Sequence, residues 1–191
     1  MSLEAIIYLI LLSSVSPGPN KLMLFASAVN FGFRRTIPLM LGIGLGVLSL
    51  FLCVRFGPGM LLVSLPQFYI LKIVGAVSLL CIAWRTSSYR LAPDGKTSGK
   101  PLYLFEAAAF QWVNPMVWVT AVMAMTVYTG SAGGSWPMQA AILNFGIYGF
   151  IGGLIWVGIG SLIRQWLYYP VRLKWFNIGM SALLALSIVQ F

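Results

Sequence analysis

The chain has 191 residues, of which 60% are hydrophobic and 8% are charged. A soluble domain carries about 25% charged residues, so this composition excludes a soluble protein and indicates one that lipid surrounds. The formal net charge of +9 does not indicate nucleic-acid binding, because the lysines and arginines stand at the ends of apolar stretches, where the positive-inside rule places them in membrane proteins.

Six apolar segments follow one another along the chain, each long enough for a helix to cross a bilayer, which takes about 20 residues. They cover residues 3–29, 37–54, 68–84, 107–128, 138–163 and 175–191. Strands of this length would expose unpaired backbone groups to lipid. The sequence therefore predicts an all-α, polytopic membrane bundle of six transmembrane helices in one domain, residues 1–191. Its halves, residues 1–88 and 101–191, are joined by a polar cytoplasmic loop at 85–100.

The distribution of positive charge predicts the orientation of the bundle. Cytoplasmic loops carry the excess of lysine and arginine. With the N-terminus outside, nine such residues lie in the cytoplasm: Arg34, Arg35, Arg85, Arg90, Lys96, Lys100, Arg164, Arg172 and Lys174. Arg55 and Lys72 then lie on the outer side, and Lys21 lies inside the first span. We therefore expect a multi-pass protein of the bacterial inner membrane with both termini in the periplasm.

The first span is interrupted near its middle by Ser16, Pro17, Gly18, Pro19 and Asn20. Each proline removes a backbone donor and clashes with the preceding turn, and glycine tolerates backbone angles that other residues avoid. In hydrocarbon, the carbonyl groups left without partners are tolerated only against protein, water or a ligand. The interruption is therefore a candidate substrate-binding element. The alternative is a structural kink whose polar groups are satisfied by neighbouring helices.

Asn114 and Pro115 interrupt the fourth span, and with Val113 they repeat the local pattern of Val15-Ser16-Pro17. Because each half has three helices, the two halves must insert with opposite topology. Interrupted helices at corresponding positions of inverted halves are typical of a transport site near the bilayer midplane. The sequence thus predicts a 3+3 inverted repeat with broken helices 1 and 4, in a secondary transporter.

A proline–glycine pattern, a basic loop and a glycine-spaced second helix follow one another between Ser16 and Gly46. This region resembles the LysE/RhtB-type amino-acid exporter family, most closely its cysteine and O-acetylserine branch. The matching positions are Pro17, Gly18, Pro19, Asn20, Gly32, Arg34, Gly42 and Gly46, followed by Lys72–Ala76 and Asn114-Pro115. The resemblance implies export of an amino acid from the cytoplasm in exchange for protons.

Lys21 departs from the family pattern, which often has a lysine after the Asn-Pro of the fourth helix, where this chain has Met116. A lysine at the centre of a bilayer costs about 2.5–3.5 kcal/mol on insertion scales. Lys21 is therefore a candidate ligand for the carboxylate of a substrate. The alternative is that its side chain snorkels to the cytoplasmic headgroups.

The positions of the acidic residues limit which charge the substrate's side chain can carry. The six spans contain no aspartate or histidine, and Glu4 and Glu106 stand near helix ends. A pocket for lysine or arginine would need a buried carboxylate to pair the side-chain cation, so a small neutral amino acid or derivative is the predicted substrate. Its carboxylate would meet Lys21 and the helix N-termini, where the dipole favours anions.

The remaining candidates of the site are polar residues near the two interruptions. The substrate's ammonium group would bind freed carbonyl groups, Asn20 or Asn114. Further candidate contacts are Gln111, Trp112, Tyr8 and Ser14. Glu106 is the carboxylate closest to an interrupted helix and is the candidate for proton coupling, with Lys21 as the alternative.

Other classes of protein are less favoured. No enzyme is expected, because the chain has no histidine to serve a nucleophile as base, and neither a metal nor a cofactor is predicted. A passive channel or a membrane scaffold stays an alternative. A thiol relay is less favoured, because Cys53 and Cys81 both lie in the first half. The glycine pairs Gly42–Gly46 and Gly149–Gly153 predict close helix packing, within one chain or across a homodimer.

Overall fold

The computed structural model describes residues 17–56, 65–92, 96–129 and 138–190. Its helices are α1 (Pro19–Phe31), α2 (Phe33–Arg55), α3 (Leu65–Ser87), α4 (Leu104–Val113), α5 (Pro115–Thr129), α6 (Met138–Leu167) and α7 (Pro170–Leu186), followed by a 3₁₀ turn at Ser187–Gln190. Within the described ranges, extended pairing is limited to one isolated bridge between Leu91 and Thr97. The all-α class is confirmed for this part of the chain.

Four of the described helices are long and apolar enough to cross a membrane, over Phe33–Arg55, Phe68–Ser87, Phe145–Leu167 and Pro170–Val189. The predicted first span is described only from Pro17 onward, and the predicted substrate contacts Tyr8, Ser14 and Ser16 lie outside the described residues. The predicted fourth span corresponds to α4 and α5, of 10 and 15 residues. The bundle of six spans stays a prediction.

Local stereochemistry explains where these helices begin and end. Pro19 starts α1 after an extended Gly18, and a proline at the first helical position has no N–H to leave without a partner. Asn114 is extended, with φ −86° and ψ 104°, because a proline disfavours the helical conformation of the residue before it. Gly32 turns the chain from α1 into α2 at φ 84°, a conformation that glycine adopts without strain.

The closest helix pairs are α1 with α6, α2 with α4, and α3 with α7. Glycines allow two of these approaches: a Cβ built on Gly46 would lie 2.6 Å from the carbonyl oxygen of Ala108, and one on Gly160 would lie 2.8 Å from Cβ of Ala28. The predicted close packing is therefore correct for the second helix. In the fifth predicted span, a Cβ on Gly153 would lie 3.3 Å from Cδ1 of Leu24, whereas one on Gly149 would meet no described atom within 4 Å.

One end of the bundle, which we call the basic end, consists of the α1–α2 turn, the described part of loop 88–103 and the α6–α7 turn, together with the last turns of α1 and α6 and the first two turns of α7. Three contacts join these segments: Thr97 Oγ1 donates to the carbonyl oxygen of Asn30 at 2.6 Å, Asn177 Nδ2 to that of Tyr89 at 3.1 Å, and the Arg164 guanidinium lies beside Gly32. The nine basic residues expected in the cytoplasm belong to these segments or to the helix turns next to them.

Candidate functional site

A cavity of about 430 Å³ lies between α1, α2, α5 and α6. Small-molecule sites occupy about 300–1,000 Å³ and combine an apolar lining with a few polar groups. Here α2 and α6 contribute apolar and glycine residues. The chain before and inside α1 and the α4–α5 junction contribute the polar groups. The predicted site residues in the lining are Pro17, Gly18, Pro19, Asn20, Lys21 and Asn114.

Asn20 is held by a residue of the other half of the chain. Its Nδ2 donates to Gln111 Oε1 at 2.8 Å, and Gln111 Nε2 donates back to Asn20 Oδ1 at 3.2 Å. Gln111 also donates to the carbonyl oxygen of Ala107 at 3.1 Å and is 0% exposed. The two amides therefore form a reciprocal pair in which Asn20 borders the cavity and Gln111 lies behind it.

The N-terminal residues of two helices border the cavity. Pro19 and Asn20 begin α1, and Met116 and Val117 belong to the first turn of α5. Asn114 caps α5, because its Oδ1 accepts the backbone N–H of Met116 at 3.1 Å. Each helix N-terminus carries about half a positive charge, so this part of the cavity is suited to an anionic group.

Lys21 lines the cavity in the first turn of α1 and is half-buried. It is the one charged side chain among the described lining residues, and none of these is acidic. The charge of the described part of the lining is therefore positive. This sign favours a carboxylate and disfavours a second cation, because burying like charges together is costly.

Several predicted residues lie elsewhere. Pro115 is buried at the start of α5 but does not line the cavity. The Trp112 side chain donates to Ser49 Oγ at 3.0 Å. Glu106 accepts from the Arg85 guanidinium at 3.0 Å and from the backbone N–H of Tyr103 at 2.7 Å. Glu106 thus forms an ion pair and caps α4, outside the lining.

Sequence reasoning missed a second buried amide pair. Asn30 Nδ2 donates to Asn177 Oδ1 at 2.7 Å, and Asn177 Nδ2 donates to Asn30 Oδ1 at 3.0 Å. Both residues are 0% exposed. The sequence indicates that each of these asparagines has a partner, because asparagine inside an apolar span needs a hydrogen bond. It does not indicate which residue supplies that bond.

Neither cysteine is among the described residues that line the cavity. Cys53 and Cys81 are both free. Among the described residues, no group of three His, Cys, Asp or Glu side chains could hold a metal ion.

Long apolar helices around a positively charged cavity of solute size are typical of a membrane protein that moves a small molecule. The LysE type translocator family matches residues 11–191, and the chain belongs to this family. The resemblance found at the Pro-Gly-Pro-Asn element is thereby confirmed. The chain is an integral membrane protein, and its membership of a translocator family supports the expectation that it is not an enzyme.

Curated relatives give a more particular comparison. The chain is 25% identical over 158 residues to the "Cysteine/O-acetylserine efflux protein" of Escherichia coli (strain K12), which covers 81% of this chain and 80% of that protein. The proteins of the same name from Shigella sonnei (strain Ss046) and Shigella flexneri have the same identity and coverage. No solved structure matches the chain.

Proposed function

We propose that this protein is a secondary transporter that exports a small neutral amino acid or derivative from the cytoplasm, and that the cavity between α1, α2, α5 and α6 binds it. The observation that carries this proposal is the lining itself. One cavity brings together Lys21, the amide of Asn20 and the N-termini of two helices, beside apolar walls. Amino acids share a carboxylate and an ammonium group, and they differ in the side chain that such walls would accept.

The polar groups fit the two charged groups of an amino acid. Lys21 and the N-termini of α1 and α5 attract the carboxylate. Asn20 Oδ1 has a second lone pair beyond the one that Gln111 uses, and it accepts from the ammonium group, as do carbonyl groups next to Asn114. Gln111 is then a positioning residue, since it fixes the orientation of the Asn20 amide. Ser16, Pro17, Gly18, Pro19 and Pro115 shape the backbone at the site.

The substrate's side chain is neutral in this proposal. A basic side chain would need a carboxylate in the cavity, and the described lining has none. The curated relatives are named as efflux proteins for cysteine and O-acetylserine, and this name supports efflux of an amino acid without a basic side chain.

Helix packing supports the proposed 3+3 inverted repeat with interrupted first and fourth helices. In that repeat α1, α2 and α3 correspond to α4–α5, α6 and α7. Exchanging the halves leaves the α3–α7 pair unchanged and converts the α1–α6 pair into a pair of α2 with the α4–α5 segment, and α2 packs against both α4 and α5. An inverted repeat places a transport site between its halves.

The proposed orientation puts the basic end in the cytoplasm and both termini in the periplasm, in a bacterial inner membrane. The Asn30–Asn177 pair is buried at that end, so in this proposal a solute from the cytoplasm reaches the cavity only after the pair separates. A passive channel, the alternative, would need no such rearrangement. Association as a homodimer stays a prediction.

Energy coupling to protons is part of the proposal, and Glu106 and Lys21 are its two candidate groups. An intramembrane proton site normally uses an ionisable side chain. Lys21 lines the cavity, whereas Glu106 is paired with Arg85 outside it. The two candidates are separated by replacing one of them, as described in the Discussion.

Profiling of the growth medium tests the function. Cells that overproduce the protein and cells that lack it are compared for every proteinogenic amino acid and for O-acetylserine in the medium. We expect a neutral amino acid or derivative to accumulate outside overproducing cells, with greater tolerance to its toxic analogues. Unchanged medium, or accumulation restricted to lysine and arginine, would contradict the proposal. The control is a Lys72→Met strain, because Lys72 stacks on Phe68 and does not line the cavity.

A further inference from the structure

Three glycines inside helices line the cavity without any packing reason among the described residues. They are Gly44 on α2, and Gly146 and Gly149 on α6. A Cβ built on any of them would meet no atom of the described chain within 4 Å. Close approach of a neighbouring helix, which explains Gly46 and Gly160, therefore does not explain these three.

Glycine in a helix interior is unfavourable relative to alanine by about 0.5–1 kcal/mol. At Gly44, Gly146 and Gly149 this loss brings no closer contact with a described helix in return. Because these glycines line the cavity, an added methyl group would reduce the space that the described residues leave open there.

The polar residues of the cavity lining come from outside α2 and α6. All six lining residues of α2, Met40 to Phe51, and all five of α6, Phe145 to Gly153, are apolar or glycine. The polar groups come from the segment around α1 and from the α4–α5 junction and α5. A bound amino acid would therefore direct its charged groups toward α1 and α5, and its side chain toward the wall formed by α2 and α6.

We propose that Gly44, Gly146 and Gly149 determine the largest side chain that the transporter accepts. The substrate class is then neutral amino acids with apolar or weakly polar side chains, with an upper size set by the space above these glycines. This inference rests on the proposed function, because it assigns the side-chain half of the same site. Adding methyl groups at these positions narrows the cavity without disturbing a described helix contact.

The test uses the purified full-length protein in proteoliposomes and a series of solutes of increasing size: L-alanine, L-cysteine, L-leucine and L-phenylalanine. Uptake is measured for the wild type, for the single variants Gly44→Ala, Gly146→Ala and Gly149→Ala, and for their combination. The matched control is Gly158→Ala. It lies on α6, its Cβ also meets no described atom within 4 Å, and it does not line the cavity.

For the combined variant, we expect the transport of the largest accepted solute relative to the smallest to fall by about tenfold, equivalent to about 1.4 kcal/mol, through a higher KM for the larger solute. Gly158→Ala should leave this ratio unchanged. An unchanged ratio in the combined variant, or an equal fall in Gly158→Ala, would overturn the inference while leaving the proposed function standing. Absence of uptake of the whole series by the wild type would overturn the proposed function and the inference with it.

Discussion

The two ends of α1 carry the same chemistry in different surroundings. Asn20 near its start and Asn30 near its end each exchange two hydrogen bonds with an amide from the second half of the chain, Gln111 and Asn177 respectively. Ten residues of helix separate them, about 15 Å along the axis. Both pairs join the halves of the molecule across the same helix.

Their surroundings differ in what is left for a ligand. At the basic end both amides are 0% exposed, and their remaining groups bond to the carbonyl oxygens of Ala26 and Tyr89. At the other end Asn20 borders a cavity of about 430 Å³, and only Gln111 is fully buried. The amide nitrogens of Asn30 and Asn177 thus have protein partners, whereas Asn20 borders open space, where we propose that the substrate binds.

Of the substitutions considered, replacement of Lys21, the charged residue of the cavity, should reduce transport most. Lys21→Met removes a charge-assisted hydrogen bond to a substrate carboxylate, worth about 1.5–3 kcal/mol. Export should therefore fall roughly 10- to 100-fold, while the amount of protein in the membrane is retained. Transport rates in cells with matched protein levels measure this. Lys72→Met is the control, and export by Lys21→Met at the wild-type rate would remove Lys21 from the site.

Disrupting the buried Asn30–Asn177 pair at the basic end should lower the free energy of unfolding. Asn177→Ala leaves the Asn30 amide without its partner, and a buried unsatisfied group costs about 1–3 kcal/mol. Thermal unfolding in detergent should show this loss. Ser181→Ala on the same helix is the matched control, because Ser181 makes a single hydrogen bond to the carbonyl oxygen of Ala83 and should cost about 0.5–1.5 kcal/mol. Equal stability of Asn177→Ala and the wild type would show that the pair does not hold this end closed.

The pair at the cavity should instead affect binding. Gln111→Leu releases the Asn20 amide from its fixed orientation, so KM should rise by roughly three- to tenfold with little change in kcat, about 1 kcal/mol of coupling. A double-mutant cycle with Asn20→Ala separates positioning from general destabilisation. If Gln111 acts through Asn20, the second substitution adds little to the first. Fully additive losses would mean that the two residues act independently.

The smallest effect is expected at Glu106. Glu106→Gln removes an ion pair with side chains that are 34% and 44% exposed and weakens the cap of α4. Exposed ion pairs contribute about 0.2–1 kcal/mol, so the unfolding temperature should change little. The informative measurement is the response of transport to an imposed pH gradient. Loss of this response would identify Glu106 as the group that couples transport to protons. An intact response would show that Glu106 is not this group.

Some of the structure follows from neighbouring residues. Pro19 and Pro115 start helices, and the extended Asn114 follows from the proline after it, because these are restrictions within a few bonds of the backbone. The apolar composition predicted a membrane protein, and the Pro-Gly-Pro-Asn element identified its family. Asn20 and Asn114, which the sequence suggested as contacts of one substrate, line the same cavity, and their binding of that substrate stays a prediction.

Other features could not be predicted because they depend on how each helix is rotated against its neighbours. Gln111 was expected to contact substrate and lies behind Asn20 instead. Gly149 was expected in a helix contact and lines the cavity. Glu106 faces Arg85, 21 residues away. No local pattern distinguishes these orientations, since a polar or small residue on a helix suits a partner, a ligand or open space equally well.

The sequence by itself determined that lipid surrounds this protein, which family it belongs to, and that helices start at Pro19 and Pro115, since each follows from composition, a motif or adjacent backbone. The tertiary structure decided which polar groups face one another. Asn30 and Asn177 are 147 residues apart, and only the packing of α1 against α7 brings them together, because hydrogen bonds between helices depend on positions that the whole bundle sets.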